Sequence, residues 1–426
     1  MDTGPCFSPR VAAAWKRGLE VLQPSASELA RGLELHRELS VCDGYGFLPR
    51  VYTPAFCARA DARLDRGAGK AEWTRHYWSG LMASPTYEPE GAAEFRDALA
   101  WANLGAMVQP VNDIGECLQD AVTLLSGYRH LCHVFSDRLF QATCAGDLER
   151  PRTGGRTGVV FSLTGLPLFG GGSMADPDAL LDWVEVWYRL GVRFTHLGYN
   201  RRNGFADGCT EANDGGVSDF GAALIARMNR EGIVVDVPHS GPRATLDATR
   251  LSGKPVVATH TGCAALYDHP RCKSDAALKA LADTGGYAGI FAIPNLLGKG
   301  ADLNLLLAHV RHAVRLVGAE HVAIGTDNSY ISPPEQRTMR SPAGRAIFDR
   351  SGWKPEHKRY SSLEHETGSL AWTNWPLITV GLLKIGLGEE EIGNILGGNL
   401  RRVLDACRPE GEAAASRVGR GLKSLA

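Results

Sequence analysis

The sequence predicts an α/β fold, a single (β/α)8 TIM barrel, on three observations. Short apolar runs bounded by Gly, Pro or Asp recur along the chain, amphipathic stretches separate them, and the runs number eight, as in a closed parallel barrel. A length of 426 residues admits one barrel with insertions or two domains. The strand pattern decides for one, over 1–410, followed by a small, charged and flexible tail over 411–426.

The eight runs fall at residues 40–45, 105–111, 158–163, 192–197, 233–238, 255–260, 286–293 and 321–327. Between the first two lies a long polar and aromatic stretch, about 48–100, that includes Trp73, Tyr77 and Trp78 and predicts an insertion over the barrel mouth. GPRATLDATRLSG, between the fifth and sixth runs, reads as a short crossover helix. LNLLLAHVRHAVRLVG, between the seventh and eighth, carries apolar residues at helical spacing. Within it His309 and His312 are expected to be exposed, whereas Trp183 and Trp187 share one helix face as core contacts. The segment 331–372, rich in Pro, Arg and Ser, predicts a long loop after the eighth strand, able to act as a lid, with His357 and His365 in solvent.

Composition narrows the function. A hydrophobic fraction of 44% against 22% charged residues belongs to a globular chain with a large core. A net charge of -1 gives no electrostatic footprint for nucleic acid or an anionic membrane, so the expected partner is a small molecule. The ten cysteines are scattered with no CxxC pair, which argues for reduced thiols rather than a zinc ribbon or disulfide framework. The N-terminal stretch lacks an apolar h-region and no run reaches the ~18 apolar residues of a membrane span; the expectation is a cytoplasmic protein.

Barrel active sites lie at the C-terminal strand ends, where side chains from different strands converge. The polar residues there are Asp43, Tyr45, Thr164, His196, His239, His260 and Asp327. Imidazoles are neutral metal ligands and a carboxylate adds compensating charge, so His239, His260 and Asp327 can hold one divalent ion; a lone histidine is more often a hydrogen-bonded structural residue than a ligand, and the coincidence at three strand ends raises the case for metal.

The segment MNREGIVVDVPHSGPRATLDATRLSGKPVVATHTGCAALYDHPRCKSDAALKALADTGG resembles the membrane (renal) dipeptidases, a family of zinc metallopeptidases. Similarity continues in ELHRELSVCDGYGF, RFTHLGYNRRNGFADG, EHVAIGTDNSY and NWPLITVGLLKIGLGEEEIGNILGGNLRRVL, over about residues 30–407. The resemblance implies a barrel in which two zinc ions, bridged by a glutamate, activate water against a dipeptide held by its free carboxylate, and a chain able to form a homodimer. It assigns His239 and His260 to the second metal, Asp327 to the first metal and to proton delivery, His196 to polarising the scissile carbonyl, and Arg271 to the substrate carboxylate. A bidentate guanidinium suits that last task.

The departures from the family pattern are plain. Where the family reads Asp-Gly-His-Asn-Asp, this chain reads Asp43-Gly44-Tyr45-Gly46-Phe47, and in place of the bridging glutamate it has Thr164. Phenylalanine has no lone pair, threonine is a poor bridge and tyrosine an infrequent zinc ligand, so a two-zinc centre is not expected. Four readings follow: a dipeptidase-like hydrolase with at most one zinc ion on His239, His260 and Asp327; a metal-independent lyase, isomerase or cyclase using Tyr45, His196, His239 and Asp327 on a carboxylate anchored by Arg271; a carboxylate-binding homologue without turnover; and a polar remnant of a lost site.

Overall fold

The computed structural model describes residues 8–67, 70–112, 118–148, 155–167, 177–331, 368–409 and 411–412. Eight parallel strands run in sequence order around a barrel: β1 (Cys42–Asp43), β2 (Ala106–Pro110), β3 (Thr157–Leu163), β4 (Val192–His196), β5 (Val234–Asp236), β6 (Val256–Cys263), β7 (Ala288–Ile290) and β8 (Val322–Ile324). Each overlaps one of the eight apolar runs. Two short strands, Leu139–Gln141 and Cys272–Lys273, pair with β3 and β6 beside the main path. The ring closes where backbone hydrogen bonds join the two ends: Gly44 N to Ile324 O at 2.7 Å, Asp327 N to Tyr45 O at 2.8 Å and Phe47 N to Asn328 O at 2.9 Å.

Strand alternation sorts the core into two layers. Cys42, Val108, Val160, Phe194, Val234, Val257 and Ala323 contribute to a cluster that Leu400, Val403 and Leu404 complete. These last three belong to the helix Asn399–Cys407. The intervening residues Met107, Val159, Phe161, Val235, Val256, Ala258 and Val322 join the larger cluster with the outer helices. One such helix, Leu303–Val317, follows its predicted pattern: Asp302 caps it by accepting from Leu305 N at 3.0 Å, and Leu303, Leu306, Leu307, Val310 and Ala313 are buried. The predicted helix between β5 and β6 spans Pro242–Leu251. In the helix Pro177–Arg189, Trp187 is fully buried and Trp183 packs beside it, as expected.

His309 corrects the expectation of exposure. It is fully buried, its Nδ1 accepts from Cys263 N at 3.0 Å, and Nε2 therefore donates to Leu297 O at 2.9 Å, pinning its helix to the ends of β6 and the β7 loop. His312 is half-buried against Asp275 at 2.8 Å.

The insertion after β1 is helical: Pro54–Asp65, Lys70–Tyr87 and Pro89–Ala102. Tyr52, Phe56, Cys57, Ala60, Tyr77 and Leu81 form a cluster with Ile331, so the insertion is anchored to the chain just beyond β8. Trp73 and Trp78 lie on its second helix. His357, His365 and most of the loop predicted at 331–372 lie outside the described residues, as do 413–426 of the tail. Among the described residues no disulfide is formed, and no helix is long and apolar enough to cross a membrane.

Close strand packing leaves no room at Gly289, where a Cβ would collide with the Thr259 carbonyl oxygen on the neighbouring strand. Gly289→Ala is expected to cost ~3 kcal/mol, because a backbone atom of a closed barrel cannot step aside as a side chain can. Urea unfolding reads this as a lower midpoint; an unchanged midpoint would show that the barrel yields there.

Candidate active site

Asp236 stands in a run of valines on β5, and a buried carboxylate in such a strand must find donors. Thr259 supplies two, its N to Oδ1 at 2.9 Å and its Oγ1 to Oδ2 at 2.7 Å. The β6–β7 ladder shifts register between Ala258 and Thr261, which interrupts strand alternation and lets Thr259 and His260 both join one polar network. His196, level with Asp236 in the adjoining strand, has Nε2 3.1 Å from Oδ2. That contact is off the hydrogen-bonding direction, and both ring nitrogens of His196 are buried without a hydrogen-bond partner among the described residues.

The histidine tautomers follow from these bonds. Thr259 Oγ1 gives its hydrogen to Asp236, so His260 Nδ1, 2.9 Å away, donates to it. His239 Nδ1 lies 2.7 Å from Asn200 Oδ1, an acceptor, and donates likewise. Both Nε2 atoms are then bare, and they face each other at 3.1 Å. Burial, reinforced by the positive charge of Arg271, holds both imidazoles well below their ordinary pKa. Two lone pairs pointed at one another repel unless a cation stands between them.

Tyrosine rings cover the pair. Tyr45 stacks on His260 at 3.9 Å between centroids and Tyr199 on His239 at 3.8 Å. Tyr45 also lies 5.4 Å from the His196 ring and edge-on to Phe47 at 6.1 Å. Burial and then the nearby Asp327 push its phenol well above the usual value, so it is a donor at any working pH. The Arg50 guanidinium sits 4.2 Å over the Phe47 ring.

Arg271 is fully buried. It donates to Pro238 O and, at 3.2 Å, to His260 O, while its Nε has no hydrogen-bond partner among the described residues. Among the described residues it makes no ion pair, which leaves a buried cation without an anion. Lys273, two residues on, is also buried; burial lowers its amine to about 7, and it donates to Ser240 O at 2.7 Å and Thr245 Oγ1 at 2.9 Å. It ties down the turn that follows His239.

Asp327 is half-buried beyond β8, with φ 53°, a left-handed backbone that Asp tolerates better than most residues. Burial raises its carboxyl to about 6, against the pull of Arg271, His196 and Arg50. Asp43 points elsewhere: it accepts from Thr326 N at 2.9 Å, Thr326 Oγ1 at 2.6 Å, Trp372 Nε1 at 3.3 Å and Tyr45 N at 3.3 Å, and burial still lifts it to about 7. Thr164 is bound to Asn112, its N donating at 2.7 Å and its Oγ1 at 3.1 Å.

Tyr45, His196, His239, His260, Arg271 and Asp327 thus surround one end of the barrel. Ring contacts join Tyr45 to His196 and His260, and the charge of Arg271 acts on Tyr45, on His239, on His260 and on Asp327. Two of the three residues expected to share an ion converge. Asp327 does not complete a trio with His239 and His260: among the described residues no group of three or more His, Cys, Asp or Glu side chains is arranged to hold a metal. As a test of fit, the bare, well-oriented Nε2 pair suits one cation. A two-ion centre does not fit, since Tyr45 lies flat on a histidine and Thr164 is engaged with Asn112. Asn200, Tyr199, Asp236, Thr259 and Lys273 were not picked out from the sequence. A signal existed for Asp236, a lone charge inside IVVDVP, and for Lys273, a lysine in a strand-like turn.

Residues 84–335 match the family model described as membrane dipeptidase, peptidase family M19. The chain is 25% identical over 336 residues to dipeptidase tcpJ of Claviceps purpurea, covering 78% of this chain and 66% of that protein, just under two thirds of its length. It is 27% identical over 395 residues to dipeptidase verJ of Clonostachys rogersoniana, covering 89% and 87%. Its fold is similar to that of an amidohydrolase from Pseudomonas aeruginosa, with TM-score 0.68, 24% identity, and 89% and 99% coverage. A metallopeptidase from Rhodobacter sphaeroides, solved with a phosphinate mimic of the dipeptide L-Ala-D-Ala, has TM-score 0.55, 17% identity, and 87% and 99% coverage. The matched model spans more than half of the sequence, and the chain belongs to the membrane dipeptidase family, peptidase family M19.

Proposed function

We propose that this chain hydrolyses an amide bond in a dipeptide or similar small substrate with a free carboxylate, using at most one metal ion. The observation that carries the reading is the pair of bare Nε2 atoms of His239 and His260, 3.1 Å apart, beside a buried guanidinium with no ion-pair partner among the described residues. Arg271 receives the carboxylate and fixes the substrate's register. His196, whose ring nitrogens have no hydrogen-bond partner among the described residues, hydrogen-bonds the scissile carbonyl oxygen. Asp327 takes the proton from the attacking water and returns it to the leaving amine. His239 and His260 would hold the ion, which when bound polarises carbonyls and acidifies water.

Zinc content tests this. Protein purified without metal-affinity columns and dialysed against a small excess of zinc is expected to carry about one ion per chain, and His239→Ala to carry none. An empty wild type, or a variant that keeps its ion, overturns the metal assignment. A dipeptide and N-acyl amino acid screen then checks turnover.

A second reading is favoured by Tyr45, which covers His260 with an ionisable hydroxyl that stays protonated. Here Tyr45, His196, His239 and Asp327 perform acid and base chemistry on a carboxylate anchored by Arg271, without metal. Turnover undiminished by chelation would select it.

A further inference from the structure

We infer that Asp236 is a positioning residue which, through Thr259, fixes the tautomer of His260 and so keeps the centre of the His239–His260 pair lined by two lone pairs. The inference deepens the reading above where it concerns zinc; its statement about tautomers stands without it.

The argument is one of hydrogen accounting along a single chain of contacts. Asp236, with no exposed surface, can only accept, and both of its donors come from Thr259. Once the threonine hydrogen is committed to Asp236, the same oxygen can only accept from His260 Nδ1 at 2.9 Å. His260 Nε2 is thereby left bare, opposite a His239 whose proton Asn200 holds on the far nitrogen. Were either end to fail, one proton would move into the centre and bridge the two imidazoles as Nε2–H···Nε2 at the same 3.1 Å. That arrangement satisfies the pair internally and closes it to any cation. The carboxylate is also level with His196 across the β4–β5 ladder, 3.1 Å from its Nε2 but without a hydrogen bond, so its ordering role is confined to His260.

Asp236→Asn tests this with little change of volume. The amide oxygen can still accept from Thr259 N, but the NH2 presents only hydrogens to Thr259 Oγ1. The threonine hydroxyl must accept, its own hydrogen turns to His260 Nδ1, and the imidazole proton moves to Nε2. Thr259→Val removes the acceptor altogether and predicts the same shift, because a buried Nδ1–H would lack a partner. Thr259→Ser keeps the hydroxyl and is expected to preserve the wild-type state.

The measurement is long-range 1H–15N NMR of metal-free protein labelled at histidine nitrogens, with His260 assigned from the spectrum of His260→Gln. The wild type and Thr259→Ser are expected to show His260 protonated on Nδ1, and Asp236→Asn and Thr259→Val on Nε2. Zinc titration by calorimetry is expected to show affinity about 10–100-fold weaker in the last two. His260 found on Nε2 in the wild type, or remaining on Nδ1 in Thr259→Val, overturns the inference. Should Asp236→Asn not fold, the near-isosteric Thr259→Val decides. Tautomers that behave as expected in a wild type that takes up no zinc would uphold Asp236's role while overturning the metal assignment.

Discussion

Asp327→Asn is expected to lower kcat on the best dipeptide substrate by about 10²–10⁴-fold, the usual worth of a positioned acid or base. The working form is the carboxylate. Burial raises the group to about 6, so it is protonated and idle below that value, and wild-type kcat/KM is expected to climb as pH rises through about 6 and level off above. Asparagine accepts the left-handed backbone at this position as readily as aspartate, so the variant is expected to fold with an unchanged Tm. Its residual activity is expected to have no limb near pH 6. A variant that keeps the limb would transfer it to another group and remove Asp327 from proton transfer.

Arg271→Met is expected to reduce kcat/KM for substrates with a free carboxylate by about 2–5 kcal/mol, roughly 30- to 5000-fold. The same substrates blocked as amides are expected to lose little, since nothing on them engages the guanidinium. Methionine fills much of the arginine's volume and removes a buried cation that has no ion-pair partner among the described residues, so the loss is not expected to come from unfolding. The arginine's charge also opposes a second cation at the imidazole pair. Zinc is therefore expected to bind Arg271→Met at least as tightly as wild type. A loss equal for free and blocked substrates would show that Arg271 shapes the pocket rather than reading the carboxylate.

The barrel was legible because each strand is a short apolar run closed by a turn residue, a pattern set by burial on both faces. Boundaries were less so: residues 40–45 read as one run, yet only Cys42–Asp43 form a ladder, since Asp43 turns to Thr326 and Trp372. His309 was misread because helical spacing shows which face is apolar but not whether a polar residue on it meets backbone partners from two other segments, here Cys263 at the end of β6 and Leu297 beyond β7. At the site, strand ends announced His196, His239, His260 and Asp327, and the family pattern added Arg271. The residues that orient them, Asn200, Asp236 and Thr259, are distant in sequence from the histidines they serve or sit inside strands, and only the folded register brings them together.

The ring closes between its first and last strands, and Asp43 and Thr326, 283 positions apart, bond across that junction. Tyr45 and Asp327 stand on its two sides, joined by a backbone hydrogen bond. Bringing such remote segments together carries a large loop-closure entropy. During synthesis the ribosome must deliver the eighth strand before this junction can form, so a nascent chain holds the histidines of β4 to β6 well before it holds a working pocket. The grouping of Tyr45 and Asp327 with those histidines therefore waits until the two ends of the barrel meet.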